Sequence, residues 1–208
     1  MDENIQLSEL QCDAIIEWLN IGMGNAANSF SQMVNEEVKL SIPHLQLLSR
    51  HQLSNHLHTS PQTKVAAIKQ HFHGPFWGDA LLLFKPAESF QLVQIWLKDE
   101  IPPDKLIELG QDALIEVSNI IIGACLSSLA NILAQELIPE VPIFMTGTTA
   151  QILQLNEFQE EEVVMFLQVD LGLPNKNIKG CVAFILEISS VEQFKFNIDK
   201  YLETITQG

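Results

Sequence analysis

The sequence consists of two similar halves, and this internal repeat constrains the fold more than any other feature. Four residues recur in the same order, each displaced by 99 positions: Asp13, Glu17, Asn20 and Pro43 in the first copy, and Asp112, Glu116, Asn119 and Pro142 in the second. Both copies therefore read D-x3-E-x2-N-x22-P. Consecutive prolines at 102 and 103 cannot continue a helix, so we place the boundary there, between halves of about 1–101 and 102–208.

Hydrophobic periodicity predicts a long helix near the start of each half. The first begins at a capping box, Ser8 to Gln11, and continues to Asn35. The second covers about 111–136, with a bend at Gly110. Shorter helices are predicted at 87–98 and 190–204, and strands at 37–42, 64–72, 79–84, 143–153, 163–170 and 181–187. The prediction is an α/β (α+β) sandwich with pseudo-twofold symmetry, in which both long helices pack on one shared six-stranded sheet. A shared sheet would make residues 1–208 a single domain.

The repeated polar residues fall on one face of each long helix. At about 100° per residue, Asp13, Glu17 and Asn20 lie within a narrow sector, at the margin of the apolar stripe or outside it. Exposed polar pairs are common, but Asn and Gly are weak helix formers, and both copies place a glycine one turn after the Asn, at Gly24 and Gly123. A rule broken twice in the same way suggests a site.

Two features beside the Asn residues allow different interpretations. Gly24 and Gly123 would let another protein approach closely, or, alternatively, would let the two long helices pack against each other. Ile21 and Ile120 project beside the Asn, outside the main apolar stripe, and could serve as docking contacts. Pro43 and Pro142 are expected to end the turn after each helix.

Charge and composition exclude several classes of protein. The chain has 11 Lys and Arg against 26 Asp and Glu, a formal net charge of -15, which repels nucleic acid and disfavours anionic membranes. The apolar fraction of 47% is that of a compact globular protein. The acidic start of the chain does not resemble a signal peptide, so a cytoplasmic location is expected. Three scattered cysteines are interpreted as reduced packing residues: Cys12, Cys125 and Cys181.

Two further polar segments have ordinary interpretations. The pairs His56/His58 and His71/His73 have the spacing of metal ligands, but no Cys or paired acidic ligands recur nearby, so no metal site is expected. The polar segment 44–62 is predicted to be a loop, and the acidic run 157–162 a solvated turn.

At the repeated motif, the sequence resembles the CheC/CheX/FliY phosphatase family of bacterial chemotaxis. That family carries an acidic or Ser residue, then Glu, Asn and a distant Pro at this spacing, and the segment 20–26, NIGMGNA, is similar to its N-I-G-x-G-N-A run. Length and repeat suit the two-site CheC type over essentially the whole chain. Ser118 departs from the family, which usually has Gly before the Asn.

The resemblance implies a CheC-like fold and a function. Glu17 and Glu116 would each pair with the active-site lysine of a phosphorylated CheY-like receiver, while Asn20 and Asn119 would each orient a water that attacks the aspartyl phosphate. The enzyme would need no cofactor of its own, because Mg²⁺ is expected on the partner receiver. CheD is a further candidate partner. The alternative is a non-catalytic adaptor of the FliM type that binds a receiver or a flagellar-switch component through the same helices.

Overall fold

A computed structural model describes residues 6–49, 52–53, 62–75, 77–97, 106–154, 162–173 and 176–206. Helices occupy α1 Glu9–Val34, α2 Pro86–Leu97, α3 Leu106–Leu133, α4 Thr149–Ile152 and α5 Ile188–Thr206. Strands occupy β1 Lys39–Leu48, β2 Lys64–His73, β3 Gly78–Phe84, β4 Ile138–Pro139, β5 Ile143–Thr148, β6 Glu162–Leu173 and β7 Lys176–Glu187. The predicted α+β fold, with two long helices on a sheet that both halves share, is confirmed. The predicted number of six strands was wrong, because the two-residue strand β4 also pairs with β2 and makes the described sheet seven-stranded.

All strands belong to one antiparallel sheet, whose order exchanges strands between the two halves. The order is β1-β6-β7-β3-β2, with β4 and β5 both paired to β2. The first half's β1 therefore pairs with the second half's β6, while the second half's β5 pairs with the first half's β2. Strands β3 and β7 meet at the centre. The predicted boundary near residue 101 lies outside the described residues and stays a prediction.

Side chains alternate between two hydrophobic cores, one on each face of the sheet. The larger core lies beneath helices α1, α2, α3 and α5 and includes Ile68, Leu82 and Phe184. The smaller core, on the opposite face, contains their sequence neighbours such as Leu81 and Ala183 and is covered in part by α4. The four longer helices therefore lie together on one face of the sheet.

Helix α1 follows from local sequence signals. The Ser8 side chain accepts a hydrogen bond from the Gln11 N–H, the Gln11 side chain accepts one from the Ser8 N–H, and Asn35 ends the helix in the left-handed conformation, with φ 54°. Leu19, Met23 and the other residues of its apolar stripe are buried. The predicted helix is confirmed.

Three predicted boundaries were wrong for local reasons. The strand predicted at 143–153 ends at Thr148, because the Thr148 side chain caps helix α4 through a capping box with Gln151. The loop predicted at 44–62 begins later, because strand β1 continues to Leu48. The second long helix begins at Leu106 rather than near 111, so that Gly110 lies inside it.

The prediction that Pro43 ends a turn was also wrong. Pro43 lies inside strand β1, where the pairing with β6 shifts register between Ser41 and His44. A proline has no N–H to donate to the ladder, so strands accommodate it at edges and bulges. Pro142 lies in irregular backbone directly before β5.

Helix α3 is the one described helix that is long and apolar enough to cross a membrane. Its segment Leu109–Leu133 contains an 18-residue window with a mean hydropathy of 1.8, of which 56% is buried inside the protein. Cys125 and Leu129 of this segment contact the larger core. The apolar character of α3 is thus explained by its packing on the sheet.

Helices α1 and α3 pack against each other at Gly22. A Cβ at Gly22 would overlap the Ser128 Oγ and lie 3.1 Å from the Ala124 carbonyl oxygen. A Cβ at Gly24 or Gly123 would meet nothing within 4 Å. The alternative that these two glycines allow close helix packing is therefore wrong, and both lie at open surface.

We expect Gly22→Val to lower the free energy of unfolding by about 1–3 kcal/mol, because the added side chain overpacks the contact between the two helices. Gly24→Val is the matched control: it makes the same change in helix propensity at an open position and should alter stability by no more than about 0.5 kcal/mol. Urea unfolding measures both. Equal losses in the two variants would contradict close packing at Gly22.

The cysteines are free and differ in burial. Burial raises the pKa of both Cys125 and Cys181 from the ordinary value of 9.0 to about 12. The half-buried Cys12 has its pKa raised by burial and, to a lesser extent, by the Asp13 carboxylate. Buried thiols that remain protonated are inert toward alkylation.

In native protein at pH 8, we expect iodoacetamide to modify at most Cys12, and to modify all three thiols in urea. Unfolding lets the buried thiols ionise near their ordinary pKa, so their contribution to stability is present below pH 9.0 and is lost as the pH rises toward about 12. Mass spectrometry after limited labelling reads out the sites. Labelling of Cys125 under native conditions would contradict its burial.

Candidate functional site

The two Glu/Asn pairs of the repeat lie on the two long helices. Glu17 and Asn20 are on α1, and Glu116 and Asn119 are on α3. Residues three apart are neighbours on a helix surface. Glu17, Glu116 and Asn119 are exposed, whereas Asn20 is half-buried. The four positions agree with the prediction that the pairs lie at the margin of the apolar stripe or outside it, with Asn20 at the margin.

Asn20 is bound to strand β1. Its Nδ2 donates to the Ile42 carbonyl oxygen at 3.1 Å, and its Oδ1 accepts from the Ile42 N–H at 2.8 Å. Ile42 is 0% exposed and directly precedes Pro43, within the register shift of β1 against β6. The carboxamide thus pairs with both backbone polar groups of one buried residue.

Asn119 has a different environment. It makes no hydrogen bond with any described residue, and Val141, which precedes Pro142 as Ile42 precedes Pro43, is 83% exposed. The Asn119 carboxamide therefore keeps all its donors and acceptors available to water or to another molecule. The two copies of the motif share a sequence but differ in hydrogen bonding.

The difference between the copies originates in the segment before each proline. Leu40 pairs with Leu171 in a continuous β1, but the equivalent position in the second copy is Pro139, after which the ladder stops until Ile143.

The intervening residue Glu140 is held by strand β2 instead. Its N–H donates to the His71 carbonyl oxygen at 2.8 Å, and its own carbonyl oxygen accepts from Gln70 Nε2 at 2.8 Å. These contacts fix the chain toward β2, while Val141 next to it stays in solvent.

A groove of about 430 Å³ runs between α1 and α3 beside the second pair. Its lining is mostly small and polar and includes Gly22, Asn119 and Gly123. Trp18 lies on one wall, where its Nε1 donates to the Tyr201 hydroxyl and its ring packs edge-on at 5.7 Å. Asn119 opens onto this groove, and Asn20 is not part of its lining.

An isoleucine follows the Asn of each pair. Ile21 is 56% exposed beside Asn20, and Ile120 is half-buried and lines the groove beside Asn119. Ile21 agrees with the prediction that these residues lie outside the main apolar stripe, whereas Ile120 packs in part against the larger core. They offer hydrophobic contact next to an acidic residue on each helix.

The glutamates of both pairs are unpaired among the described residues. Glu17 and Glu116 form no ion pair with described residues, and no cluster of three His, Cys, Asp or Glu that could hold a metal occurs among them. A chain with net charge -15 that presents free carboxylates on a helix is suited to a cationic group brought by another molecule.

The histidines whose spacing resembles that of metal ligands either contact acidic side chains or lie outside the described residues. His71 Nδ1 lies 3.1 Å from Asp79 Oδ1, and Asp79 Oδ2 also pairs with Lys69 Nζ at 2.7 Å. His73 Nδ1 lies 3.9 Å from Glu140 Oε1. The pair at 56 and 58 is not among the described residues.

Sequence reasoning missed the residues that distinguish the two copies. The fixed spacing from Asn20 to Pro43 was the signal for the contact with Ile42, since it links a helix position to one strand position. A buried glutamine in an apolar strand, Gln70, was the signal for the second segment.

Comparison with known proteins finds a relative that matches this chain over nearly its whole length. A protein of Bacillus subtilis (strain 168) named CheY-P phosphatase CheC is 25% identical over 197 residues, covering 90% of this chain and 93% of its own. No protein-family model matches the chain. The sequence resemblance to the CheC/CheX/FliY family thus extends over nearly the whole length.

Solved structures confirm the fold. FliY of Thermotoga maritima superposes with a TM-score of 0.70 at 16% identity, covering 94% of this chain and 98% of that one. The FliM middle domain of H. pylori gives 0.61 at 14% identity, covering 92% and 99%. CheX of Desulfovibrio desulfuricans gives 0.51 at 16% identity, covering 84% and 99%. The chain therefore has the fold of this family and resembles it in sequence.

We expect Glu116→Ala and Asn119→Ala to change the free energy of unfolding by no more than about 0.5 kcal/mol, because both side chains are exposed and bind no described residue. Thermal unfolding followed by circular dichroism measures this. A larger loss for Asn119→Ala would mean that its carboxamide has a structural partner.

Proposed function

We propose that this chain is a phosphatase that hydrolyses the aspartyl phosphate of a CheY-like receiver. The likeness to a protein named CheY-P phosphatase CheC, over 90% of the chain, supports the class of reaction. The observation that carries the proposal is the exposed pair Glu116 and Asn119, one turn apart on α3 and unbound to any described residue. Glu17 and Asn20 on α1 form the other pair.

In the proposed reaction, Asn119 orients a water for in-line attack on phosphorus. A carboxamide both donates and accepts, so it can fix a water with a lone pair toward the phosphorus. The new P–O bond forms as the bond between phosphorus and the receiver's aspartyl oxygen breaks, which leaves inorganic phosphate and a free aspartate. The receiver would supply Mg²⁺ and the cations that stabilise the transferring phosphoryl group.

The glutamates would bring the receiver into position. Glu116 and Glu17 are exposed carboxylates without an ion-pair partner among the described residues, and each would pair with a receiver lysine. One cationic contact per site offsets the repulsion between an acidic phosphatase and a phosphorylated partner. Ile120 and Ile21 would add apolar contact at the rim.

A non-catalytic adaptor is the competing proposal. The fold suits it equally, since the FliM middle domain of H. pylori gives a TM-score of 0.61. Docking alone, however, requires no carboxamide at a fixed distance from a carboxylate. The repeated Asn therefore favours hydrolysis, and the pathway would be chemotaxis or related two-component signalling in the cytoplasm, with CheD as a second candidate partner.

The test mixes the chain with a phosphorylated receiver and follows phosphate release. We expect Asn20→Ala combined with Asn119→Ala to lower the rate at least about 100-fold, the scale of a lost catalytic group. Asn28→Ala, the same change at an exposed position of α1 outside the motif, is the control and should keep the wild-type rate. Equal rates for the double variant and wild type, with binding retained, would favour the adaptor.

A further inference from the structure

We propose that Asn20 acts as a clamp: its carboxamide holds strand β1 at the register shift by pairing with the backbone of Ile42. In this proposal the two copies of the motif have different roles. The first copy holds β1 to α1, and the second copy faces the partner. The assignment of the clamp rests on hydrogen bonds within this chain. The assignment of the working site to Asn119 rests in addition on the proposed function.

The clamp supplies the hydrogen bonds that the backbone of β1 lacks beside Pro43. Where β1 shifts register, neither Ile42 nor Pro43 is matched to a residue of β6. Ile42 is 0% exposed, so water cannot satisfy its N–H and carbonyl. A buried backbone group without a partner is costly, and the Asn20 carboxamide supplies one donor and one acceptor, at 3.1 and 2.8 Å.

Few side chains could replace Asn20 here. The pairing with Ile42 requires a donor and an acceptor held in one plane, as in a backbone amide. Asp would keep the acceptor for the Ile42 N–H but would oppose an anionic oxygen to the Ile42 carbonyl. Ala would leave both groups of Ile42 unpaired. The spacing N-x22-P in the first copy therefore describes a hydrogen-bonded contact.

The second copy does not need a clamp. Val141 is 83% exposed, so its backbone groups have access to water. Glu140 is already held by β2 through Gln70 and the His71 carbonyl oxygen. Asn119 therefore has no backbone segment to hold, and it lines the groove between the long helices.

The division has a consequence for the reaction. To orient a water with its full set of hydrogen bonds, Asn20 would have to break its two hydrogen bonds with Ile42. Asn119 would break no hydrogen bond with a described residue. Glu116 and Asn119 therefore form the site that can bind a water without rearrangement, and Asn20 acts as a positioning residue for β1.

Amide hydrogen exchange of the full chain tests the clamp without a receiver. We expect the Ile42 amide to exchange at least ten-fold faster in Asn20→Ala, and to an intermediate degree in Asn20→Asp, which keeps the acceptor. Asn119→Ala, the matched change in the other copy, should leave the Val141 amide unchanged. If Asn20→Ala does not fold, the wild type still decides: the Asn20 Nδ2 hydrogens should exchange more slowly than those of Asn119.

Phosphate release from a phosphorylated receiver tests the division of tasks. We expect Asn119→Ala to lower the rate at least ten-fold and Asn20→Asp to lower it by a clearly smaller factor, at a temperature at which both variants are folded. Unchanged Ile42 exchange in both Asn20 variants would overturn the clamp. A loss of rate in Asn20→Asp equal to that in Asn119→Ala would overturn the division of tasks. If neither variant alters phosphate release while Ile42 exchange accelerates, the proposed function fails and the clamp stands.

Discussion

The exchange of strands between the halves is the constraint on which the rest of the structure depends. Strand β1 pairs only with β6, and β5 only with β2. Each half therefore contains a strand whose one partner belongs to the other half. Antiparallel ladders of this kind bury a continuous apolar surface, on which α1 and α3 pack side by side. Glu17, Glu116 and Asn119 lie exposed on this layer of helices, whereas Asn20 is half-buried and contacts strand β1.

Much of the architecture could be predicted because its signals are local. The capping box at Ser8, the apolar stripe of α1 and the alternation within β2 each act over a few residues. The repeat added the long-range information, since similar halves with similar strands suggest one symmetric sheet. The helix face that carries Glu17 and Glu116 followed from helical geometry alone.

The hydrogen bonding of the site could not be predicted because it depends on tertiary contacts. Asn20 and Asn119 have the same neighbours in the motif, yet only one contacts a strand. The second copy has Pro139 where the first has Leu40, and the ladder stops after Pro139. The backbone that lies opposite the helix therefore differs between the two copies. The glycines of the long helices show the same limit. The four look alike in sequence, yet Gly22 and Gly110 lie against a neighbouring helix, whereas a Cβ at Gly24 or Gly123 would meet nothing within 4 Å.

The prolines of the motif also bear on how the molecule avoids other copies of itself. Among the described strands, β1 and β5 each pair on one side only, so the sheet ends in two open edges. Open edges are templates for pairing with another chain, and bulges and prolines discourage it. Pro43 interrupts the donors of one edge and Pro142 directly precedes the other. The repeated proline thus places a residue without a backbone donor inside one edge strand and directly before the other, which disfavours pairing with another chain at both ends of the sheet.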